Sequence, residues 1–351
     1  MRLLTEEFSP RVFCGAAIAI VAICLFIVAA FNFVVDPYAQ YPSNVVPPIV
    51  QTSRAQKVEL LAAMKPEPEG LVLGSSRVMK LEPQFLKEQT GLSFFNAGVN
   101  FGKPEDCLAL LRYYRDLSGH EPKLVVLGID VSAFSDHNKA DSRLLANPAL
   151  LPYVKDWVPF SDRFQRWREL LSWQQTKMSI TSLRRKADSE SGDLQIRDDG
   201  LLVYTQRERE ISEGTYDFQS ALEYNKREYK QLLLGFETVS RRRLQMLVAI
   251  AEECSRGGCE LVVFFTPMHP ELYQYVDEAT EIVARKRELH VHISELADKC
   301  GFSFVDLSTI DTFDGDPAQF VDGVHPLEPN TRKMIQRILP GHLTKEQYAI
   351  Q

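Results

Sequence analysis

Three short stretches carry residues able to do acyl chemistry together. LVLGSSRVMK, residues 71–80, sets two serines and an arginine after an apolar run and a glycine. NAGVNFG, residues 96–102, alternates amide side chains with glycines. DGVH, residues 322–325, holds an aspartate three residues before a histidine in a glycine-containing turn. Serine is a poor nucleophile until a base takes its proton. His325 is the candidate base, and Asp322 can fold back to the imidazole and fix its tautomer. The oxyanion formed by such an attack needs donors already in place. The candidates are the backbone N–H of the nucleophile's own turn, the N–H of Gly98 and the Asn100 side chain. Glycine at 98 lets the backbone approach closely.

These residues need elements to bring them together. GLVLG (from Gly70), LSFFNAG (from Leu92), KLVVLGID (from Lys123), ELVVFFTP (from Glu260) and FSFVDLS (from Phe302) are short, continuously apolar runs. Helical patterns separate them: Pro104 to Leu117, roughly Tyr224 to Arg256, Pro270 to Lys299 and Pro329 to Leu339. Proline suits the first position of the helix at 104. Buried strands alternating with helices predict an α/β fold with a parallel sheet covered on both faces. Ligands of such sheets bind outside the carboxyl ends of the strands. Those ends carry Ser75, Ser76 and Arg77; Asn96, Gly98 and Asn100; Asp130; Thr266 and His269; and, after the last strand, Asp322 and His325. Arg77 can pair with Asp130 across neighbouring strand ends or bind an anionic substrate. His269 can face substrate or cap a helix. Asp136 and His137 are adjacent, cannot face each other, and read as loop.

The pattern breaks between Asp136 and about Glu223, a stretch too long for a loop. It holds Trp157, Trp167 and Trp173 and a hairpin signal, LQIRDDGLLVY. An insertion over the sheet, at about 138–223, is expected, either as a wall or lid of the site or as a partner-docking surface. Its tryptophans suit core packing better than sugar stacking.

The N-terminus differs in kind. Val12 to Val35 contains no charge, and this exceeds the roughly 20 residues a helix needs to cross a bilayer. Apolar residues run on past Ala29-Ala30, the one hint of a cleavage site, so an uncleaved signal anchor is expected. Arg2 and Arg11 precede the span and no basic residue follows until Arg54. The positive-inside rule then leaves residues 1–11 in the cytoplasm and sends the rest outward from a single-pass anchor in the cytoplasmic membrane. Residues 36–67 read as a connector, 68–340 as the folded domain and 341–351 as a tail.

Hydrophobic content of 45% and charged content of 25% suit a folded chain. The net charge of -7 excludes the basic footprint of a nucleic-acid binder. Arg241-Arg242-Arg243 is the longest basic block and reads as a solvated helix face. Cys254 and Cys259 either form a disulfide or are buried thiols. No cysteine–histidine spacing suits zinc, and no cofactor is implied.

GSSR at 74–77, NAGVNFG at 96–102 and DGVH at 322–325 together resemble the SGNH/GDSL hydrolase superfamily, over about residues 68–135 and 258–340. The resemblance implies a three-layer α/β domain with Ser76 as nucleophile, Ser75 in place of the usual aspartate, and Asp322 and His325 completing a triad. It implies Gly98 in the oxyanion hole. The chain departs from the family at GIDV, where Asp130 replaces a Gly-x-Asn-Asp asparagine donor. The GSSR variant is similar to membrane-anchored proteins of teichoic acid D-alanylation and exopolysaccharide O-acetylation. That similarity implies acyl transfer or hydrolysis, with acetyl as the expected group, on an extracytoplasmic polysaccharide, and a membrane-bound acyl-donor protein as an expected partner. The rival expectation, favoured by Asp130, is a non-catalytic polysaccharide-binding or scaffold protein on the same fold.

Overall fold

The computed structural model describes residues 10–38, 40–41, 43, 45–46, 53–184 and 194–340. The expected tail at 341–351 lies outside them. Helices of eight residues or more are α1 (Pro10–Val35), α2 (Ser53–Ala63), α3 (Pro83–Thr90), α4 (Pro104–Ser118), α5 (Trp173–Arg184), α6 (Thr205–Ser212), α7 (Phe218–Leu233), α8 (Arg241–Arg256), α9 (Pro270–Ala279), α10 (Ile282–Cys300) and α11 (Glu328–Ile338). Strands are β1 (Gly70–Leu73), β2 (Phe94–Asn96), β3 (Leu124–Ile129), β4 (Leu194–Ile196), β5 (Leu202–Tyr204), β6 (Glu260–Phe265) and β7 (Ser303–Asp306). The described residues form two compact units: 10–46 with 160–184, and 53–159 with 194–340.

The larger unit is a mixed α/β domain. Its sheet has five parallel strands in the order β2-β1-β3-β6-β7. Strand side chains alternate between faces, and here both faces are apolar. Leu71, Leu73, Val125, Leu127, Val263 and Phe265 point to one side, where α2, α4, α8 and α10 cover them. Val72, Val126, Val262 and Phe264 point to the other, against Leu86 of α3 and Met334 and Ile335 of α11. Each such side chain contributes roughly 1.5–3 kcal/mol by leaving water. The parallel arrangement brings all five carboxyl ends to one edge. The hairpin expected from LQIRDDGLLVY is present as the antiparallel pair β4-β5.

Four local expectations need correction. The connector, 36–67, contains α2, and its cations are part of the core. Arg54 is buried and donates twice to Asp106 at 2.7 and 3.1 Å. Lys57 is buried as well, with Nζ donating to the Asn96 carbonyl at 2.6 Å and to that of Gly200. Arg243 is no solvated side chain: it is fully buried and pairs with Glu105 at 2.9 Å. The long helical patterns break. Ser240 caps α8 by accepting from the Arg243 amide, which separates α7 from α8, and Thr280 and Glu281 separate α9 from α10. Finally, the insertion is divided, since residues 160–184 belong with α1 and the hairpin belongs with the sheet. Cys254 and Cys259 are buried free thiols.

The smaller unit is built on α1, a helix long and apolar enough to cross a membrane. Residues 10–27 of it are exposed, whereas Asn32 near its end is buried. Asn32 Nδ2 donates to the Leu170 carbonyl and to Thr176 Oγ1, each at 2.8 Å. Beyond the helix, the Asp36 carboxylate accepts from the amides of Gln40 and Tyr41, both at 2.7 Å.

Candidate active site

β1 delivers Ser76. The strand stops at Gly74, whose φ of +144° is open to glycine alone. The Ser75 side chain then accepts from the Arg77 amide at 3.2 Å and starts a single 3₁₀ turn, Ser76–Val78. β2 braces that turn. Asn96 is fully buried, and its Nδ2 donates to the carbonyls of Val78 and Leu81 at 2.8 and 2.9 Å. The loop after β2 passes so close that a Cβ on Gly102 would lie 2.2 Å from the Gly74 carbonyl oxygen.

The histidine comes from the loop after β7. Asp322 Oδ1 accepts from the amides of Val324 and His325 at 2.9 and 3.0 Å, curling the DGVH turn around its own carboxylate. Two outside groups hold Gly323: its amide donates to Asn225 Oδ1 of α7 at 2.8 Å, and its carbonyl accepts from the His269 amide at 2.9 Å. His325 Nδ1 lies 2.8 Å from Asp322 Oδ2, and His325 Nε2 lies 2.8 Å from Ser76 Oγ. With Nδ1 protonated, Nε2 accepts from the serine hydroxyl. The structure therefore brings Ser76, His325 and Asp322 into one hydrogen-bonded line.

Burial pushes the Asp322 carboxyl up, but His325 and the two amides outweigh it and hold the group below the usual carboxylate range. Ser76 and His325 remain half-buried. The insertion supplies a wall. The Leu202 amide donates to the Met79 carbonyl at 2.9 Å, and the Tyr204 ring stands edge-on to His325 at 6.3 Å. Glu228 of α7 is raised by burial and by the Asp322 charge.

A second charged group sits beside the first. Arg77 is buried, with Nε 3.7 Å from Asp130 Oδ1 and Nη1 donating to Thr266 Oγ1 at 3.2 Å. Thr266 in turn donates to Asp130 at 2.6 Å, and the Tyr229 ring lies 5.1 Å from the guanidinium carbon. Burial alone would lower the Arg77 pKa; Asp130, Tyr229 and Asp322 together raise it. The ion pair is thus present, and it neutralises the acid at the position where the sequence departs from Gly-x-Asn-Asp.

Two residues expected to meet substrate are otherwise occupied. The Gly98 amide donates to Asn96 Oδ1 at 3.0 Å, so that donor is already engaged. Asn96 has committed its whole amide to the chain. The backbone carbonyl of Asn100 accepts from Arg54 at 3.1 Å. The Ser76 amide has no partner among the described residues. His269 caps α9, its Nδ1 accepting from the Glu271 amide at 3.3 Å, and burial lowers its pKa. Asp136 meets Thr238 at 3.4 Å and His137 packs on Gly235, outside the constellation. Sequence reasoning missed Asn225, Tyr204, Glu228 and Tyr229. They lie in helical or hairpin segments of ordinary composition, and no local signal distinguishes them. Among the described residues no three His, Cys, Asp or Glu side chains converge as a metal site.

No family model matches this chain, and no curated protein does. Among solved structures, it is similar to a crystal structure of a candidate acylhydrolase from Bacteroides fragilis. The two are 13% identical, the similarity covers 82% of this chain and 93% of that one, and the TM-score is 0.37. No chemistry is carried over from it.

Proposed function

We propose that this chain is a membrane-anchored serine acyl-transfer enzyme that hydrolyses or transfers an O-linked acyl group, acetyl in the simplest case, on an extracytoplasmic polysaccharide. The observation that carries the reading is the line Ser76–His325–Asp322, with two consecutive contacts of 2.8 Å. His325 Nε2 takes the Ser76 proton as Oγ attacks the acyl carbonyl. Asp322, ionised and aimed at Nδ1, holds the tautomer and stabilises the imidazolium. The imidazolium protonates the departing sugar oxygen, leaving an acyl group on Ser76. His325 then deprotonates a water or a second sugar hydroxyl, which attacks that ester, and the imidazolium returns the proton to Ser76 Oγ as the acyl group leaves. The Ser76 amide, which has no partner among the described residues, is the oxyanion donor of this proposal. α1 is its anchor, with Arg2 and Arg11 on the cytoplasmic side.

The experiment is ester release from an acylated donor by the full chain in detergent, with Ser76→Ala beside it. Loss of release in the variant is expected; equal activity in the two sinks the mechanism. A polysaccharide-binding role without turnover is the second reading. The observation favouring it is the Gly98 amide, already engaged by Asn96.

A further inference from the structure

Outside α1, thirteen large apolar side chains are exposed among the described residues, and seven of them fall within 160–184. That concentration is unlike the rest of the surface, where such residues occur singly. Phe160, Phe164, Trp167, Leu171, Trp173 and Leu183 all belong to it, with Trp173 77% and Phe160 69% exposed. Phe160 and Phe164 meet edge to face at 5.0 Å. An exposed apolar patch of this kind marks an interaction surface.

Two further observations identify what it meets. The first is position. Within the same compact unit, Asn32 near the end of α1 holds the Leu170 carbonyl and Thr176 Oγ1 at 2.8 Å, and Trp167 meets Tyr41 at 6.0 Å. The segment is therefore fixed where the apolar helix ends, the level at which a spanning helix leaves the hydrocarbon. Tryptophan concentrates at that depth because its ring is apolar and its N–H is polar. The second is charge. Residues 160–184 carry Arg163, Arg166, Arg168, Lys177 and Arg184 against Asp162 and Glu169, in a chain whose net charge is -7. Local basic excess beside exposed aromatics is the composition of a segment lying in an anionic headgroup layer.

We infer that residues 160–184 form an interfacial element that lies in the headgroup region of the bilayer crossed by α1, its aromatic side chains among the upper acyl chains and its basic residues at anionic lipid phosphates. Part of the insertion is then neither a wall of the catalytic site nor a docking surface for protein. It adds a second, in-plane attachment, so the anchor is more than a single flexible tether. The inference rests on α1 spanning the membrane and is independent of the acyl-transfer reading.

The test uses the full chain reconstituted in phosphatidylcholine–phosphatidylglycerol vesicles. Trp157→Phe with Trp173→Phe leaves Trp167 as the sole reporter, and Trp157→Phe with Trp167→Phe leaves Trp173. Lipids bearing a nitroxide near the headgroup are expected to quench both reporters several-fold more strongly than acrylamide in the water does. Quenching should deepen as the phosphatidylglycerol fraction rises. Strong acrylamide quenching with no lipid quenching would overturn the inference and point to a solvent-facing or protein-docking surface. Release of the chain by alkaline carbonate would overturn it too, by removing the spanning helix, while leaving ester release by Ser76 untouched.

Discussion

Two aspartates stand at the carboxyl edge of the sheet and do different things. Asp322 faces a histidine, and Asp130 faces an arginine. The imidazole can accept and return a proton, so in the proposed mechanism the carboxylate beside it steers the reaction. The guanidinium cannot be deprotonated, so the carboxylate beside it balances a charge. Arg77 also follows Ser76 directly, and its pairing with Asp130 and Thr266 ties down the turn that carries Ser76. The partner's ability to give up a proton, rather than the aspartate itself, separates the position proposed as catalytic from the one proposed as structural.

That contrast can be broken from either side. Asp322→Asn leaves the shape of the turn but removes the charge that fixes the His325 tautomer. Ester turnover should fall by about 10³- to 10⁴-fold with little change in melting temperature. If activity survives, Asp322 is only a loop residue. Asp130→Asn should do the reverse. It strands the buried Arg77 charge, and urea unfolding should show a loss of about 3 kcal/mol, while turnover per folded molecule stays within a few-fold of wild type. A collapse of turnover without loss of stability would place Asp130 in the chemistry instead.

A smaller effect concerns Lys57, far from either aspartate in sequence. Burial pushes its pKa down to about 7, with Asp199 offsetting part of the shift. The folded state therefore gives up that proton at a lower pH than the unfolded state, whose lysine holds it to the ordinary value of 10.5. Between those limits the unfolded chain binds more protons, so this group makes stability rise with pH. The slope is at most about 1.4 kcal/mol per pH unit. The rise between pH 7 and 9 should be shallower in Lys57→Met. Equal slopes would show that Lys57 is not held as described.

The fold was largely legible in the sequence because its signal is local. β1, β3 and β6 are continuous apolar runs, and five parallel strands lie where GLVLG, LSFFNAG, KLVVLGID, ELVVFFTP and FSFVDLS stand. Ser76 and the DGVH turn were legible because strand-end chemistry follows from that topology. The misreadings share one cause: a polar side chain's partner lies far away along the chain. Arg243 looks like a solvated cation until Glu105 is brought to it, and Arg54 and Lys57 look like connector residues until Asp106 and Asn96 are brought to them. Asn225 holds the histidine turn across 98 residues, a relation no spacing reveals. Gly98 is the exception: its partner Asn96 is two residues away, and the short Asn side chain turns back to accept from the Gly98 amide.

The most direct measurement is covalent labelling of the full chain by a fluorophosphonate probe, with the modified residue mapped by mass spectrometry. The account predicts labelling at Ser76 in the wild type and none in Ser76→Ala. It also predicts greatly slowed labelling in His325→Gln, where the base is gone. Folded wild-type protein that stays unlabelled, or labels at another serine, would contradict it.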